Sequence, residues 1–381
     1  KMERIHVKVP GEQPQDREYM KQALVLAEKG HGWVNPNPMV GAVLVKDGRI
    51  IGEGYHTRYG QLHAEREAFK NAAERGEETA GADLYVTLEP CCHTGKQPPC
   101  TEAVLASGVK RVIVGCTDPN PVVAGRGIRL LREKGLEVVA GVLRGECERQ
   151  NEVFFHFMRT KLPFTVLKYA MTLDGKTATV LGKSQWITGE AARKRVHEDR
   201  GRYMAILTGV STVLADNPQL TCRIPGGKNP IRVIADTKLR TPLSSTVVQT
   251  ARETPTWIVT AVSDAGRKKA YEDAGCRVLS VPAKEGELDL QAMMQRLGEE
   301  KVDSVMVESG GTLAWSFLKA GLVNRVQAYI APKIFGGAGT PTPVRGTGVD
   351  APPEAFLLKK PEAVWLGEDR LLEYEVSGQD A

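Results

Sequence analysis

The chain has 381 residues, well over twice a typical domain of about 150, so two domains are expected rather than one core. Hydrophobic residues make up 41% and charged residues 25%, ordinary values that exclude a disordered, collagen-like or coiled-coil chain. Lys and Arg exceed Asp and Glu by only 51 − 46 = 5, without a run of like charge, which argues against a nucleic-acid partner and suits a small anionic ligand.

The longest apolar run, Met39 to Val45 with Gly41 counted in, is far short of the roughly 18 residues of a membrane span, so no membrane association is expected. The first 20 residues mix charges of both signs without an apolar stretch, so they do not read as a secretory signal. Seven cysteines are an odd number for a disulfide framework, and a chain of this size needs none, which points to a reducing, cytoplasmic compartment.

In chain order, DREYMKQALVLAEKG predicts a helix with Tyr19, Met20, Ala23, Leu24 and Ala27 on one stripe and Gly30 as its stop. HGWVNPNP breaks the chain. MVGAVLV and RIIGEGY follow as strands joined by Asp47-Gly48, a strong hairpin signal. Next come a helix from His63 to Arg75, strand DLYVTLE, a turn rich in Pro and Cys, a short helix near Thr101 to Ala106, strand RVIVG, helix IRLLREK and strand LEVVAGV. A single helical stretch, ECERQNEVFFHFMR, leads to Thr160-Lys161-Leu162-Pro163, where the chain divides into residues 14–160 and 161–377.

The second half opens with FTVLKYAMTLDGK and continues with helix EAARKRVHEDR, strands YMAILTG, IRVIAD and TWIVT, helix AGRKKAYEDAG and strand CRVLSV. A helix near Leu290 to Leu297, strand SVMVE, helix TLAWSFLKAG and strand VQAYIAPKIF complete it. Both halves read as α/β, sheets covered by helices, and the absence of a fixed-period repeat makes them different modules.

His63-Ala64-Glu65, followed by Glu89-Pro90-Cys91 and then Cys100, has the residue types of a zinc deaminase. An imidazole and two thiolates suit zinc, and a fourth position left open for water lowers that water's pKa. Glu65 would carry the water's proton to the departing amine, which must leave as ammonia. The competing reading is a structural zinc site closed by Cys92 or His93; against it, such sites rarely carry a glutamate two residues from a ligand and usually keep short cysteine spacings. His6, His156 and His197 stand alone and carry no hypothesis.

The eight residues CHTGKQPP between Cys91 and Cys100 depart from the common Pro-Cys-x-x-Cys. In EPCCHTGKQPPC, with NPNPMVGAVLV and Gly54-Tyr55-His56 before it and DPNPVVAGRG after it, the chain resembles the bifunctional riboflavin-biosynthesis deaminases of the RibD or RibG type. The resemblance implies a cytidine-deaminase-like three-layer domain with one Zn2+ on His63, Cys91 and Cys100. It also implies Asn37, His56, His93 and Lys96 around the pyrimidine. A turn-forming role competes for Asn37.

No Gly-x-Gly-x-x-Gly occurs, so a Rossmann domain has no support. Strand SVMV running into Glu308-Ser309-Gly310-Gly311-Thr312 and a helix could hold phosphate, though two glycines before a helix are also an ordinary tight turn. LKYAMTLDGKTA, Ser184-Gln185-Trp186-Ile187-Thr188, GVSTVLADNPQLTCR and VESGGTLAWSFL resemble the reductase domain of the same bifunctional enzymes, which is similar to dihydrofolate reductase and uses NADPH. Carried over by position, Ala170, Trp186, Thr212, Asp216 and the turn Gly310, Gly311, Thr312, Leu313, Ala314, Trp315 and Ser316 would bind the cofactor. Lys168, Ser184, Arg200, Leu220, Arg223 and Glu308 would hold the substrate, Arg200 and Arg223 as forks suited to a ribose phosphate.

The resemblance therefore implies a cytoplasmic, self-associating enzyme that takes small phosphoribosylaminopyrimidines: hydrolytic deamination first, then NADPH-dependent reduction of the ribosyl chain. Two readings compete with it. One is a nucleoside or nucleic-acid deaminase fused to an unrelated reductase-like module, disfavoured by the long cysteine loop and modest charge. The other is a zinc-stabilised binding module without turnover.

Overall fold

Residues 9–94, 97–120 and 123–378 are described by the computed structural model. The chain divides into two units, Lys1–Arg159 and Thr160–Ala381.

The first unit runs α1 (Asp16–Glu28), β1 (Gly41–Lys46), β2 (Arg49–Tyr55), α2 (Ala64–Glu74), β3 (Asp83–Leu88), α3 (Cys100–Ala106), β4 (Arg111–Cys116), α4 (Arg126–Glu133), β5 (Glu137–Ala140), α5 (Arg144–Gln150) and α6 (Glu152–Thr160). Its five-stranded sheet has the order β2-β1-β3-β4-β5, antiparallel through β3 and parallel from β3 to β5. Every residue of β3 and β4 is buried, as expected for strands covered on both faces.

The strand period of two sorts the core. Ala42, Leu44, Leu84, Val86, Val112 and Val114 pack with Ala64, Ala68 and Ala72 of α2, whereas Val43, Tyr85 and Ile113 pack with Met20 and Ala23 of α1. Three layers result, helix on sheet on helix. The close seat of α2 depends on glycine: a Cβ on Gly54 of β2 would lie 2.3 Å from the Ala68 nitrogen and 2.4 Å from the Ala64 oxygen. The predicted ECERQNEVFFHFMR helix is in fact two, broken at Asn151.

The second unit runs β6 (Phe164–Thr172), α7 (Glu190–Arg202), β7 (Ala205–Gly209), α8 (Val210–Asp216), β8 (Ile231–Ala235), α9 (Thr246–Gln249), β9 (Thr256–Thr260), α10 (Ala265–Asp273) and β10 (Arg277–Ser280). It continues with β11 (Ala283–Lys284), β12 (Glu287–Leu288), α11 (Leu290–Glu299), β13 (Ser304–Val307), α12 (Gly311–Lys319), β14 (Arg325–Ala331), β15 (Leu358–Leu366) and β16 (Asp369–Val376). The nine-stranded sheet has the order β10-β9-β8-β7-β13-β6-β14-β16-β15. It is parallel as far as β14, and only β16 and β15 run antiparallel.

Arg232 of β8 is fully buried. Its five N–H groups all donate, to Thr256 Oγ1 at 3.0 Å, Thr250 Oγ1 at 2.8 Å and the carbonyls of Gln219 at 3.1 Å, Val247 at 3.1 Å and Thr254 at 2.9 Å. Several features of this unit depart from the sequence expectation: helix α8 follows β7 at once, α9 and the short β11–β12 pair were not expected, the strand expected over VQAYIAPKIF stops at Ala331, and a β15–β16 hairpin follows β14. Among the described residues, no helix is long and apolar enough to cross a membrane.

Candidate active sites

In the first unit, His63 is the N-cap of α2, Cys91 lies just beyond β3 and Cys100 is the first residue of α3. His63 Nδ1 is 3.6 Å from Cys91 Sγ and 3.3 Å from Cys100 Sγ, and the Cys100 backbone N–H donates to Cys91 Sγ at 3.3 Å. The three ligand atoms lie within 4.8 Å of one another, the one such group among the described residues. Cys92 is not part of it. One imidazole and two thiols, with the mouths of two helices nearby to favour thiolate, fit zinc with a position to spare. Hydrogen bonding with Cys100, against burial and with help from His63, draws the Cys91 thiol well below its ordinary range; the same pairing and burial push Cys100 up.

A cavity of about 240 Å³ opens on this group, lined among others by Asn37, His56, His63, Glu65, Cys91, His93, Asp118 and Asn120. Glu65 sits in the first turn of α2, buried, and burial followed by the Cys91 charge raises its pKa. His56 Nδ1 faces the Leu62 carbonyl at 2.9 Å, an acceptor only, so that nitrogen carries the proton. Its Nε2 therefore accepts, and the group 3.1 Å away is Asn37 Nδ2. This fixes the amide of Asn37 with Nδ2 turned to the histidine and Oδ1 left for the cavity. Burial, joined by His63, keeps His56 below its usual pKa. His93 is in the cavity lining; Lys96 lies outside the described residues.

Three acidic or amide residues of this site carried no assigned role from sequence. The Glu89 carboxylate accepts from the backbone N–H groups of Asp118 at 3.2 Å, Gly125 at 2.8 Å and Ile128 at 3.1 Å, capping α4 and holding the Asp118 loop against the cavity. Asp118 and Asn120 line that cavity, and burial raises Asp118 to about 6. The signal was DPNP, a polar string that reads locally as a turn.

In the second unit, Glu308 follows β13 and binds two cations. Arg200 of α7 donates from Nε at 2.8 Å and from Nη2 at 3.0 Å, and Lys168 of β6 donates at 3.4 Å. Burial alone would raise the carboxyl, but Arg200 and then Lys168 outweigh it and hold Glu308 at about 2. Arg200 Nη1 also donates to the Thr221 carbonyl at 3.1 Å, tying this trio to the loop that carries Leu220 and Arg223. Leu220 is buried at φ +54, while Arg223 is exposed. His197, dismissed from sequence, belongs here: its Nδ1 accepts from the Arg223 backbone N–H at 3.3 Å.

The residues expected at the cofactor are more spread. Ala170 lies two residues beyond Lys168 on β6, Thr212 is half-buried in α8, and Asp216 is exposed at its end. Leu313 Cδ2 of α12 stands 3.4 Å from where a Cβ on Gly209, the N-cap of α8, would lie. Trp186 is 61% exposed, with the Arg193 guanidinium 4.7 Å from its ring centre, and Lys333 Nζ donates to its carbonyl at 3.0 Å. Ser184 is half-buried in the same loop. No contact joins Ser184 or Trp186 to the Glu308 trio among the described residues. Gly310 caps α12 with open space beside it, whereas a Cβ on Gly311 would meet the Thr342 oxygen and Arg345 Cγ at 2.7 Å. A glycine cradle at a helix N-terminus fits a phosphate-bearing cofactor.

Comparison with known proteins agrees with this division. Residues 13–116 match the cytidine and deoxycytidylate deaminase zinc-binding region, and residues 163–371 match the RibD C-terminal domain. The riboflavin biosynthesis protein RibD of Actinobacillus pleuropneumoniae is 48% identical over 95% of this chain and 95% of its own, and that of Escherichia coli is 43% identical over 84% and 89%. The solved structure of Acinetobacter baumannii RibD superposes with a TM-score of 0.85 at 35% identity, covering 95% of this chain and 99% of that one. The Thermotoga maritima diaminohydroxyphosphoribosylaminopyrimidine deaminase/5-amino-6-(5-phosphoribosylamino)uracil reductase does so at 0.83 with 40% identity and the same coverage. The chain belongs to the RibD family of riboflavin biosynthesis proteins, bifunctional enzymes that join a zinc-binding deaminase to a reductase.

Proposed function

We propose that the first unit hydrolytically removes the 2-amino group of 2,5-diamino-6-(5-phosphoribosylamino)pyrimidin-4(3H)-one. The second unit then reduces the ribosyl chain of 5-amino-6-(5-phosphoribosylamino)uracil to ribityl with NADPH. The observation that carries this reading is a His63-Cys91-Cys100 donor set sharing one cavity with buried Glu65. The Thermotoga maritima relative's name supplies the two substrates.

His63, Cys91 and Cys100 would hold zinc, which when bound supplies Lewis acidity toward water. Glu65 takes a proton from water as its oxygen bonds to the ring carbon, then delivers a proton to the amino nitrogen. The C–N bond breaks and ammonia leaves. Asn37 offers Oδ1 to an N–H on the pyrimidine edge, with His56 fixing its amide and His93 in the same lining; a role for Lys96 rests on the family resemblance alone. In the second unit, Glu308 holds Lys168 and Arg200 in place, and with Ser184, Leu220 and Arg223 they bind the phosphoribosyl substrate. NADPH would supply the hydride, resting on Ala170, Trp186, Thr212, Asp216 and the turn from Gly310 to Ser316.

The same reading makes the protein a cytoplasmic homo-oligomer. All seven cysteines are free thiols, which suits a reducing compartment. The outermost strand, β15, exposes Leu358, Val364 and Trp365 at 44%, 39% and 66%, apolar surface that a second copy would cover. The test is incubation of the zinc-loaded protein with the diaminopyrimidine substrate: ammonia should appear without NADPH, and ribityl product only with it.

A further inference from the structure

The break between α5 and α6 puts Phe154 in the lining of the deaminase cavity and Asn151 on the segment that leads into β1, from a stretch well beyond the family's zinc-binding region, which ends at residue 116. Asn151 is 2% exposed and clamps one residue across 112 positions of sequence: its Oδ1 accepts from the Met39 N–H and its Nδ2 donates to the Met39 carbonyl, both at 2.8 Å. Met39 precedes β1, so a side-chain amide here does what a neighbouring strand would do. Asparagine is suited to this because one short group carries both a donor and an acceptor.

The clamped segment is the one that carries recognition. Asn37 lies two residues before Met39, and the Val40 carbonyl, one residue after it, accepts from the His56 backbone N–H at 2.9 Å. Asn37 and His56, which pair through their side chains, are thus both anchored to the peptide that Asn151 holds. The Asn151 carbonyl accepts from the Phe155 N–H at 2.9 Å as the new helix begins. The restart brings Phe154, 9% exposed, into the lining of the same cavity.

We infer that the turn from Asn151 to Phe154 is a wall of the deaminase pocket: Asn151 is a positioning residue for the loop bearing Asn37, and Phe154 is an apolar specificity surface for a flat heteroaromatic ring. The inference rests on the deaminase reading above. It assigns this turn to substrate recognition and leaves the metal and Glu65 untouched.

Full-length Asn151→Ala, Phe154→Leu and Phe154→Ala are compared with the parent for zinc content, for ammonia release from the diaminopyrimidine substrate, and for NADPH oxidation on the deaminated intermediate. The expected result for Asn151→Ala and Phe154→Ala is a KM for deamination raised about tenfold or more, because the lost contacts hold the ring equally in the bound substrate and in the transition state. The turnover number should fall by less than about threefold, with zinc at one per chain and reduction unchanged; Phe154→Leu should be intermediate. Zinc-loaded variants with the parent's KM would overturn the inference. So would loss of zinc in Asn151→Ala, which would make Asn151 part of the metal scaffold. If the parent itself released no ammonia, the deaminase reading would fail instead.

Discussion

Replacing Gly54 by alanine perturbs the deaminase through the seat of α2. The added Cβ would stand 2.3 Å from the Ala68 nitrogen, where ordinary contact begins at 3.4 Å, a shortfall of 3.4 − 2.3 = 1.1 Å. Its neighbours, Ala68 N and Ala64 O, are both backbone atoms, so no rotamer change relieves the clash. The helix must move, and its first turn carries His63 and Glu65. Overpacking of this kind costs about 1–3 kcal/mol of stability, and a displacement near 1 Å in a catalytic group costs on the order of 100-fold in rate. Gly54→Ala should therefore lower kcat/KM for ammonia release by about that factor, while NADPH oxidation by the same preparation stays at the parent's rate. Ammonia release within about threefold of the parent would refute the claim that this glycine sets the position of the catalytic turn.

Three other outcomes are expected. Arg232→Met removes five hydrogen bonds, taking the Arg donor from the Gln219 carbonyl and leaving the Val247 and Thr254 carbonyls to share the Thr256 hydroxyl, a loss of about 3–5 kcal/mol. Differential scanning calorimetry should show the reductase unit melting roughly 6–20 °C lower. Glu308, held at about 2 against 4.5, contributes about 3 kcal/mol that is fully present above pH 4.5 and lost as pH falls toward 2. Urea unfolding of the parent between pH 5 and pH 2.5 should show that loss, and Glu308→Gln should flatten it. A chelator that strips zinc should end ammonia release and leave reduction of the supplied deaminated intermediate intact, followed by NADPH absorbance.

The His63-Cys91-Cys100 group with Glu65 beside it was legible because its residues stand at short, ordered spacings: His63 at a helix N-cap, Glu65 in the first turn of that helix, Cys100 opening another helix. Short, nearly continuous apolar runs likewise announced β1, β3 and β4, which are buried almost throughout. What escaped were residues whose role depends on tertiary contact. DPNP reads as a turn until Glu89 is seen holding it. Asn151 continues an uninterrupted helical pattern, and only its clamp on Met39 breaks the helix. His197 reads as one polar residue among many on its helix, and the Arg223 backbone that donates to it comes from another segment. The β15–β16 hairpin was missed for a different reason. LKKPEAVWL is exposed along most of its length and so lacks the alternation of a half-buried strand. Its Pro361 also argues against a strand, and is accommodated on the sheet's outer edge within a register shift between Lys359 and Glu362.

In the proposed function two separate sites act in sequence, with Glu65 as the proton carrier of the first only, and the decisive experiment is Glu65→Gln in the zinc-loaded, full-length protein. Zinc should be retained, ammonia release should fall by about a hundredfold to ten-thousandfold, as for loss of a general acid–base group, and NADPH oxidation should run at the parent's rate when the deaminated intermediate is supplied. Undiminished ammonia release, or loss of both activities in a folded, zinc-bearing variant, would contradict this reading.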